Sequence, residues 1–158
     1  MIFRSGDFLY VSGQGSRSAS GGDMPKDFPT QVRNSLNNVR LIVEAGGFSM
    51  KDMVYAQVYL SDMSQFPALA GYWKEAFPDG GPAFSVLGVA RMPTETPVEV
   101  SAVVARGAAK PHADVREVGG RLYFAGIGGK TPAEAMDNLA KRAKAVGIDL
   151  GQIGRAHV

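Results

Sequence analysis

Leu9-Tyr10-Val11-Ser12-Gly13 is a short apolar strand pattern closed by small residues, and it recurs later in the chain as Leu122-Tyr123-Phe124-Ala125-Gly126. A second pair of segments behaves in the same way, because Leu36-Asn37-Asn38-Val39 returns 100 residues later as Met136-Asp137-Asn138-Leu139. Self-similarity of this kind indicates repeated supersecondary units and has to be recognised before a fold is assigned. The sequence therefore predicts that one unit of strand, strand, helix and strand begins twice.

The residues between the two copies complete the first unit. A helix is expected from Asp27, which can cap it, and a strand rich in Val and Tyr from Met53 to Leu60. Ser64 is the expected cap of a second helix, and two strands follow at about 84–91 and 97–105. The element order ββαβαββ predicts the α+β class, a sandwich in which two helices cover one face of a mixed sheet.

The predicted domain organisation follows from the repeat. Residues 1–106 are expected to form one complete domain, residues 107–113 a linker of small residues, and residues 114–158 a partial second repeat. A fragment of that size rarely buries enough surface to fold alone. It is therefore expected to dock on the first domain or to stay loosely ordered, without an active site of its own.

One face of the predicted sheet needs a cover. Residues alternate along strand 97–105, so that Glu99, Ser101 and Val103 share one side. Right-handed crossovers put both helices on the opposite side. Because monomers seldom expose large apolar patches, the side with Val103 is expected to be buried by another subunit, and the chain is predicted to be a homo-oligomer.

The composition excludes several kinds of chemistry. The 158 residues contain no cysteine, which rules out disulfides and thiolate metal sites. The two histidines, His112 and His157, cannot make a zinc site by themselves, so no metal and no cofactor is predicted. No secretory leader and no apolar run of membrane-spanning length is visible. A cytoplasmic protein without a membrane partner is expected.

The charge pattern does not favour nucleic acid as a partner. The net charge is +2, and basic residues are frequent after Arg106, but Tyr123 and Phe124 are the only aromatic residues in that part of the chain. A nucleic-acid groove needs aromatic side chains between the basic ones, so these charges are interpreted as a solvated helix surface. The Gly13–Ser18 loop lacks the third glycine of a dinucleotide motif and is expected to be a flexible rim of a pocket.

Glu99 is the candidate residue for chemistry. It interrupts a β-branched strand on the side that the helices leave open. As a solvated strand carboxylate it needs no function. Covered by a second subunit, it would lie beside apolar groups, where a carboxyl group is suited to proton transfer. The residues alone leave both interpretations open.

Several ordered motifs resemble those of one family. They are Tyr10-Val11-Ser12-Gly13-Gln14, Leu36-Asn37-Asn38-Val39 with Gly46-Gly47, Val58-Tyr59-Leu60-Ser61-Asp62, Pro82-Ala83-Phe84-Ser85 leading to Val89-Ala90-Arg91-Met92-Pro93, and Val98-Glu99-Val100. In this order they are similar to the reactive intermediate deaminase family, RidA/YjgF, also called endoribonuclease L-PSP. The resemblance covers residues 1 to about 106 in register, and residues 114–158 resemble the first half of the same domain.

The resemblance implies a chorismate-mutase-like fold and a homotrimer with ligand clefts between its subunits. Active family members hydrolyse enamines and imines, such as 2-aminoacrylate, to 2-oxo acids and ammonia. The resemblance also implies that Glu99 positions or activates water. The expected substrate-binding residues are Ser12, Gly13, Phe84, Ser85 and Val86.

The sequence departs from the family pattern where an arginine binds the substrate carboxylate, because Phe84 takes that position. A guanidinium binds a carboxylate through two hydrogen bonds and a phenyl ring cannot. Weak activity on 2-aminoacrylate is therefore expected, with Phe84 stacking on a flat ligand instead. Two functions remain open: a metabolite-binding protein that hydrolyses an imine or enamine with altered specificity, and a non-catalytic metabolite-binding trimer.

Overall fold

The computed structural model describes residues 2–107, 110–112 and 114–153. The chain divides into two compact units, Met1–Ala125 and Gly126–Val158. The sequence placed the linker earlier, at residues 107–113, whereas the division between the compact units falls after Ala125. The reason is that residues 115–124 pack on the sheet of the first unit. His157 and the other residues after 153 lie outside the described residues.

The first sheet has the strand order β1-β2-β5-β3-β4. Its strands are β1 Ile2–Ser5, β2 Phe8–Gln14, β3 Met53–Leu60, β4 Ala83–Gly88 and β5 Val98–Ala105. Strands β3 and β4 are parallel, and the other neighbours in the sheet are antiparallel. The predicted α+β class, with a mixed sheet and the order ββαβαββ, is confirmed.

Two helices, α1 at Phe28–Ala45 and α2 at Phe66–Ala76, cover one face of this sheet. Asp27 caps α1 as predicted, because its Oδ1 accepts the N–H of Thr30 at 2.9 Å. The hydrogen bonds from Thr30 hold the pKa of the Asp27 carboxyl below its ordinary value. The predicted Ser64 cap is wrong: Asp62 accepts the N–H of Ser64 at 2.9 Å and begins a 3-10 turn that leads into α2.

The main core lies between the helices and the sheet. Alternate residues of β2, β3 and β5 point into it, as the period of two along a strand requires. Its largest fully buried side chains are Leu9, Val32, Val39, Val43, Val58, Leu60, Leu69, Val98, Val100 and Val104. The opposite side of the sheet, here called the non-helical face, carries Phe8, Tyr10, Tyr55, Gln57, Tyr59, Ser85, Glu99, Ser101 and Val103.

A second sheet covers part of the non-helical face. It has three antiparallel strands, β6 at Lys110–His112, β7 at Val115–Val118 and β8 at Arg121–Phe124, so the predicted linker contains a strand. The β7–β8 hairpin places Val118 and Tyr123 in a small apolar cluster with Val103. The sequence predicted that another subunit would bury this surface. Within the chain, the hairpin covers the part of this surface around Val103, and burial by another subunit stays a prediction.

The second compact unit contains helix α3, Pro132–Ala145, followed by a 3-10 turn at Leu150–Gln152. Thr131 caps α3, because its Oγ1 accepts the N–H of Glu134 at 3.1 Å. Within the described ranges, no helix has the length and apolar character needed to cross a membrane.

Candidate functional site

Strand β2 carries a bulge at Ser12 and Gly13. Between Val11 and Gln14, β2 advances three residues while its partner β5 advances two. The Gln14 side chain closes over the bulge, with Nε2 donating to the carbonyls of Ser12 and Gly13 at 2.8 and 2.9 Å. Bulges redirect side chains and are frequent beside active sites.

Glu99 lies directly against this bulge. It is half-buried on the non-helical face, and in the sheet it pairs with Tyr59 of β3. A Cβ added to Gly13 would overlap the carboxyl group of Glu99 and come within 2.9 Å of its Cγ. Glycine is therefore the residue that leaves room for this carboxylate. Three of the predicted site residues, Ser12, Gly13 and Glu99, lie together at one end of the face.

The loop after β2 is fixed by hydrogen bonds, so the predicted flexible rim is wrong for residues 15–17. The Asn38 side chain on α1 donates to the carbonyls of Gly15 and Arg17 at 3.0 and 2.7 Å. Ser16 is fully buried, and its N–H donates to Thr96 Oγ1 at 2.8 Å. Satisfied buried polar groups specify a single conformation, and this network holds the bulge in place beside Glu99.

Polar side chains fill the middle of the non-helical face. The Tyr55 hydroxyl lies 3.0 Å from Gln57 Oε1 and 3.0 Å from Ser85 Oγ. Gln57 is only 8% exposed, and its Nε2 donates to the carbonyl of Ser85 at 3.1 Å. Ser85 is thus on the same side of the sheet as Glu99, but it lies two strands away, about 10 Å across the sheet.

Phe84 and Val86 face the other side of the sheet. Both pack against the main core, and the Phe84 ring stacks on Trp73 with centroids 4.7 Å apart. Alternation along β4 is the cause, because Ser85 faces one side and its two neighbours face the other. The structure therefore does not bring Phe84 and Val86 together with Glu99, and the stacking partner of Phe84 is Trp73.

The structure adds residues that the sequence did not single out. Tyr59 pairs with Glu99, and Gln57 pairs with Ser101, so these side chains form two adjacent rows on the non-helical face. Gln57 and Tyr59 are two residues apart on β3, so the alternation of side chains along a strand already predicts that they share a face. The pairing register between β3 and β5 was not readable from the sequence, and without it Tyr59 could not be placed opposite Glu99.

The chemistry available at this end of the face is proton transfer. Glu99 supplies a carboxylate, and directly paired strand residues such as Tyr59 have Cβ atoms about 4.5–5.5 Å apart. Carboxylates, phenols and hydroxyls accept or donate protons to a bound molecule or to water. Among the residues that the structure describes, no group of three His, Cys, Asp or Glu side chains could hold a metal ion.

Residues 2–106 are similar to known proteins. Residues 2–106 match the family described as Endoribonuclease L-PSP. A RutC family protein of Pyrococcus horikoshii is 33% identical over 101 residues, which cover 63% of this chain and 80% of the relative. The 2-iminobutanoate/2-iminopropanoate deaminase of Escherichia coli K12 is 33% identical over 104 residues, covering 64% and 81% of the two chains.

Solved structures show the same α+β architecture. The YjgF gene product of Escherichia coli superposes with a TM-score of 0.65 at 31% identity, over 67% of this chain and 86% of that chain. Escherichia coli TdcF with bound serine also has a TM-score of 0.65, at 30% identity and with the same coverage. The fold is thus that of the YjgF-like α+β proteins. Through residues 2–106, the chain belongs to the endoribonuclease L-PSP (RidA/YjgF) family.

Proposed function

We propose that this protein hydrolyses an imine or enamine, with Glu99 as the acid–base group. The observation that carries the proposal is the position of the Glu99 carboxyl against the bulge at Gly13. Similarity to a 2-iminobutanoate/2-iminopropanoate deaminase supports the reaction class. Ser12, Gly13 and Ser85 are the proposed substrate-binding residues, since they share the non-helical face with Glu99.

The proposed reaction needs one proton relay. Water adds to the carbon of the C=N bond, and Glu99 accepts a proton from that water. The carboxyl group returns that proton to nitrogen, which gives a carbinolamine with one OH and one NH2 group. Glu99 then carries the hydroxyl proton to nitrogen, the C–N bond breaks, and ammonia leaves as the carbonyl forms. One imine and one water thus give one carbonyl compound and one ammonia. An enamine enters the same route after its carbon is protonated and it becomes the imine.

The proposed substrate is larger and less anionic than 2-iminopropanoate. The position at which the family carries an arginine holds Phe84, and its ring packs against Trp73 in the main core. A phenyl ring gives a substrate carboxylate no hydrogen bond, whereas one charged hydrogen bond is worth about 1.5–3 kcal/mol. The 2-oxo acid imines are therefore expected to be poor substrates.

The alternative is a metabolite-binding protein without catalysis. The replacement of the arginine by Phe84 favours it, and the retained Glu99 beside the bulge favours catalysis. The predicted homotrimer with clefts between subunits belongs to either proposal. Its support is the family resemblance of residues 1–106, since Phe8 and Val103 already pack with Val118 and Tyr123 of the hairpin. We assign that assembly to residues 2–106 as a separate domain, because the hairpin lies on this surface in the intact chain.

We also propose that the residues from 114 onward are a partial second copy of the domain. Matching hydrogen bonds support this: Asn38 donates to the carbonyl of Gly15 at 3.0 Å, and Asn138 donates to that of Gly128 at 2.9 Å. Gly47 and Gly147, which follow α1 and α3, also share the same left-handed φ of 79°.

The experiment is a turnover assay on imines generated in situ from a panel of amino acids of increasing size. Ammonia release is compared between the wild type, Glu99→Gln and the control Glu75→Gln, an exposed carboxylate on α2. Removing a general acid–base group is expected to lower the rate about 10²- to 10⁴-fold, with the control unchanged. A Glu99→Gln variant that turns over at the wild-type rate contradicts the proposed role of Glu99. Saturable ligand binding without turnover selects the alternative.

A further inference from the structure

The second compact unit contains a groove between helix α3 and the loop that precedes it. The groove has a volume of about 420 Å³, which lies in the range of small-molecule sites. Residues 126–128 form the loop wall, and Asn138, Lys141, Arg142 and Ala145 form the helix wall. These four helix residues are three or four positions apart, so they lie on one face of α3.

The loop wall is fixed against α3. The Asn138 side chain donates from Nδ2 to the carbonyl of Gly128 at 2.9 Å. The N–H of Lys130 donates to Glu134 Oε2 at 2.7 Å. A Cβ added to Gly129 would lie 2.5 Å from the backbone of α3, so glycine is what allows this close approach. The groove therefore has its shape before any ligand binds, which lowers the cost of binding.

The charged side chains that line the groove are both cationic. Lys141 and Arg142 are consecutive on α3, and none of the described lining residues is acidic. In the described part of the chain, the backbone N–H groups of residues 126–128 donate to no other backbone group. A guanidinium, an ammonium and backbone N–H groups are the donors that bind oxyanions in proteins. The ligand class that suits this groove is therefore an anion.

The corresponding face of α1 is not basic. The residues 100 positions earlier are Asn38, Leu41, Ile42 and Ala45, so the asparagine and the alanine recur while two apolar residues are replaced by Lys141 and Arg142. Ile42 packs against the main core. Packing of the helix thus accounts for the apolar residue on α1 but gives no reason for an arginine at the same place on α3.

The loop before α1 also covers its helix more fully. Residues 16–27 lie between Gly15 and α1, and Asn38 donates to the carbonyl of Arg17 at 2.7 Å as well as to that of Gly15. Only residues 129–131 lie between Gly128 and α3. A loop this short cannot repeat that cover, so the groove beside α3 stays open to solvent.

We propose that this groove binds the phosphate group of a small phosphorylated metabolite. A phosphate monoester carries a charge of about −1.5 to −2 at neutral pH and has three acceptor oxygens, which suits two cations and a loop of N–H donors. The groove is larger than a single phosphate ion, so the phosphate is expected to belong to a larger molecule. The proposal does not depend on the chemistry assigned to Glu99. Only the comparison with α1 depends on the proposed partial copy.

Calorimetric titration of the full-length chain at low ionic strength tests the proposal, with ribose 5-phosphate, inorganic phosphate and ribose as probes. Lys141→Gln removes one cation of the groove. Gly128→Asp adds a carboxylate to the loop wall, and a Cβ at this position meets no atom within 4 Å. Lys144→Gln is the matched control, because Lys144 is an exposed lysine of α3 that does not line the groove.

Ribose 5-phosphate is expected to bind with a Kd of about 1 mM or lower, and ribose is expected not to bind. Lys141→Gln should weaken binding about tenfold and Gly128→Asp should abolish it, while Lys144→Gln changes the Kd less than about twofold. Equal losses in Lys141→Gln and Lys144→Gln, or no saturable binding by the wild type, would overturn the proposal. Inorganic phosphate that binds as tightly as ribose 5-phosphate would overturn the assignment to a metabolite.

Discussion

Gly13 leaves the space that the Glu99 carboxyl group occupies in the candidate site. A methyl group at this position would displace the Glu99 side chain, whose carboxyl and Cγ lie where the new Cβ would be. A flexible side chain moves at small cost, so Gly13→Ala is expected to change the free energy of unfolding by less than about 1 kcal/mol. Turnover of the imine is expected to fall about tenfold or more, because displaced catalytic groups lose their alignment.

Gly71→Ala is the matched control for this prediction. Gly71 is an exposed residue inside α2, and a Cβ built there has no neighbour within 4 Å. The substitution is expected to stabilise the protein by about 0.5–1 kcal/mol through helix propensity, with unchanged turnover. Equal turnover in Gly13→Ala and the wild type would mean that the contact between Gly13 and Glu99 has no role in the reaction.

Thr96 holds the loop beside the site, and its loss has a measurable cost. It is 2% exposed, and its Oγ1 accepts the N–H of the fully buried Ser16 at 2.8 Å. Thr96→Val keeps the shape but leaves this donor unsatisfied, which is expected to lower the free energy of unfolding by about 1–3 kcal/mol. Urea denaturation of the wild type and of Thr96→Val measures this change in the free energy of unfolding. Ser20→Ala, which removes an exposed hydroxyl contact in the same loop, should cost less than about 0.5 kcal/mol.

Part of the site was predictable residue by residue. Ser12 and Gly13 were assigned from family motifs, and Glu99 from its place in a β-branched strand as well as from those motifs; the structure places the three together. The sequence assigned both Phe84 and Ser85 to the same cleft. Neighbouring residues of a strand face opposite sides of the sheet, and the larger, apolar Phe84 side chain packs into the core on the helix side. The contact between Ser16 and Thr96 joins positions 80 residues apart, and no local pattern reports such a pair.

At the scale of the elements, the packing of the β7–β8 hairpin on the sheet can be tested through the ionisation of Tyr123. Burial raises the pKa of the Tyr123 phenol above its ordinary value of about 10, and the hydrogen bond with Arg121 offsets part of that effect. The folded chain thus keeps this proton to a higher pH than the unfolded chain does. The free energy of unfolding is therefore expected to fall as the pH rises through about 10, because the unfolded state then binds fewer protons.

Comparison of the wild type with Tyr123→Phe isolates this contribution. Urea denaturation at about pH 8 and about pH 10.5 should show a larger loss of stability in the wild type than in the variant, which has no phenol to ionise. Equal losses in the two proteins would show that Tyr123 is no more buried when folded than when unfolded, and that the hairpin does not pack on the sheet.

The helices and strands themselves were largely predictable, and their caps less so. The Asp27 cap of α1 and the bounds of β3 follow from local residue types, and both are as expected. The second helix begins with a 3-10 turn capped by Asp62, two residues before the expected Ser64. Strand β6, formed by residues 110–112, lies in a segment of small residues and Pro whose composition predicted a linker.

For the whole molecule, the element order correctly indicated a sheet with one face free of helices. Right-handed crossovers require that arrangement whatever the side chains are. The order cannot tell what covers the free face, because a second subunit and a later segment of the same chain can both pack on an apolar sheet surface. The hairpin is tied to the same chain, and its high effective concentration favours it over a free partner.

Sedimentation velocity of the intact chain tests the cover of the non-helical face most directly. The wild type, of 16.7 kDa, is expected to sediment as a monomer from low micromolar concentration to its solubility limit. Val118→Asp places a charge in the apolar cluster and should release the hairpin, and the exposed face should then give concentration-dependent association while circular dichroism shows a folded sheet. A wild type that forms a stable trimer at every concentration, together with a Val118→Asp variant that sediments in the same way, would contradict the claim that the chain's own hairpin covers this face.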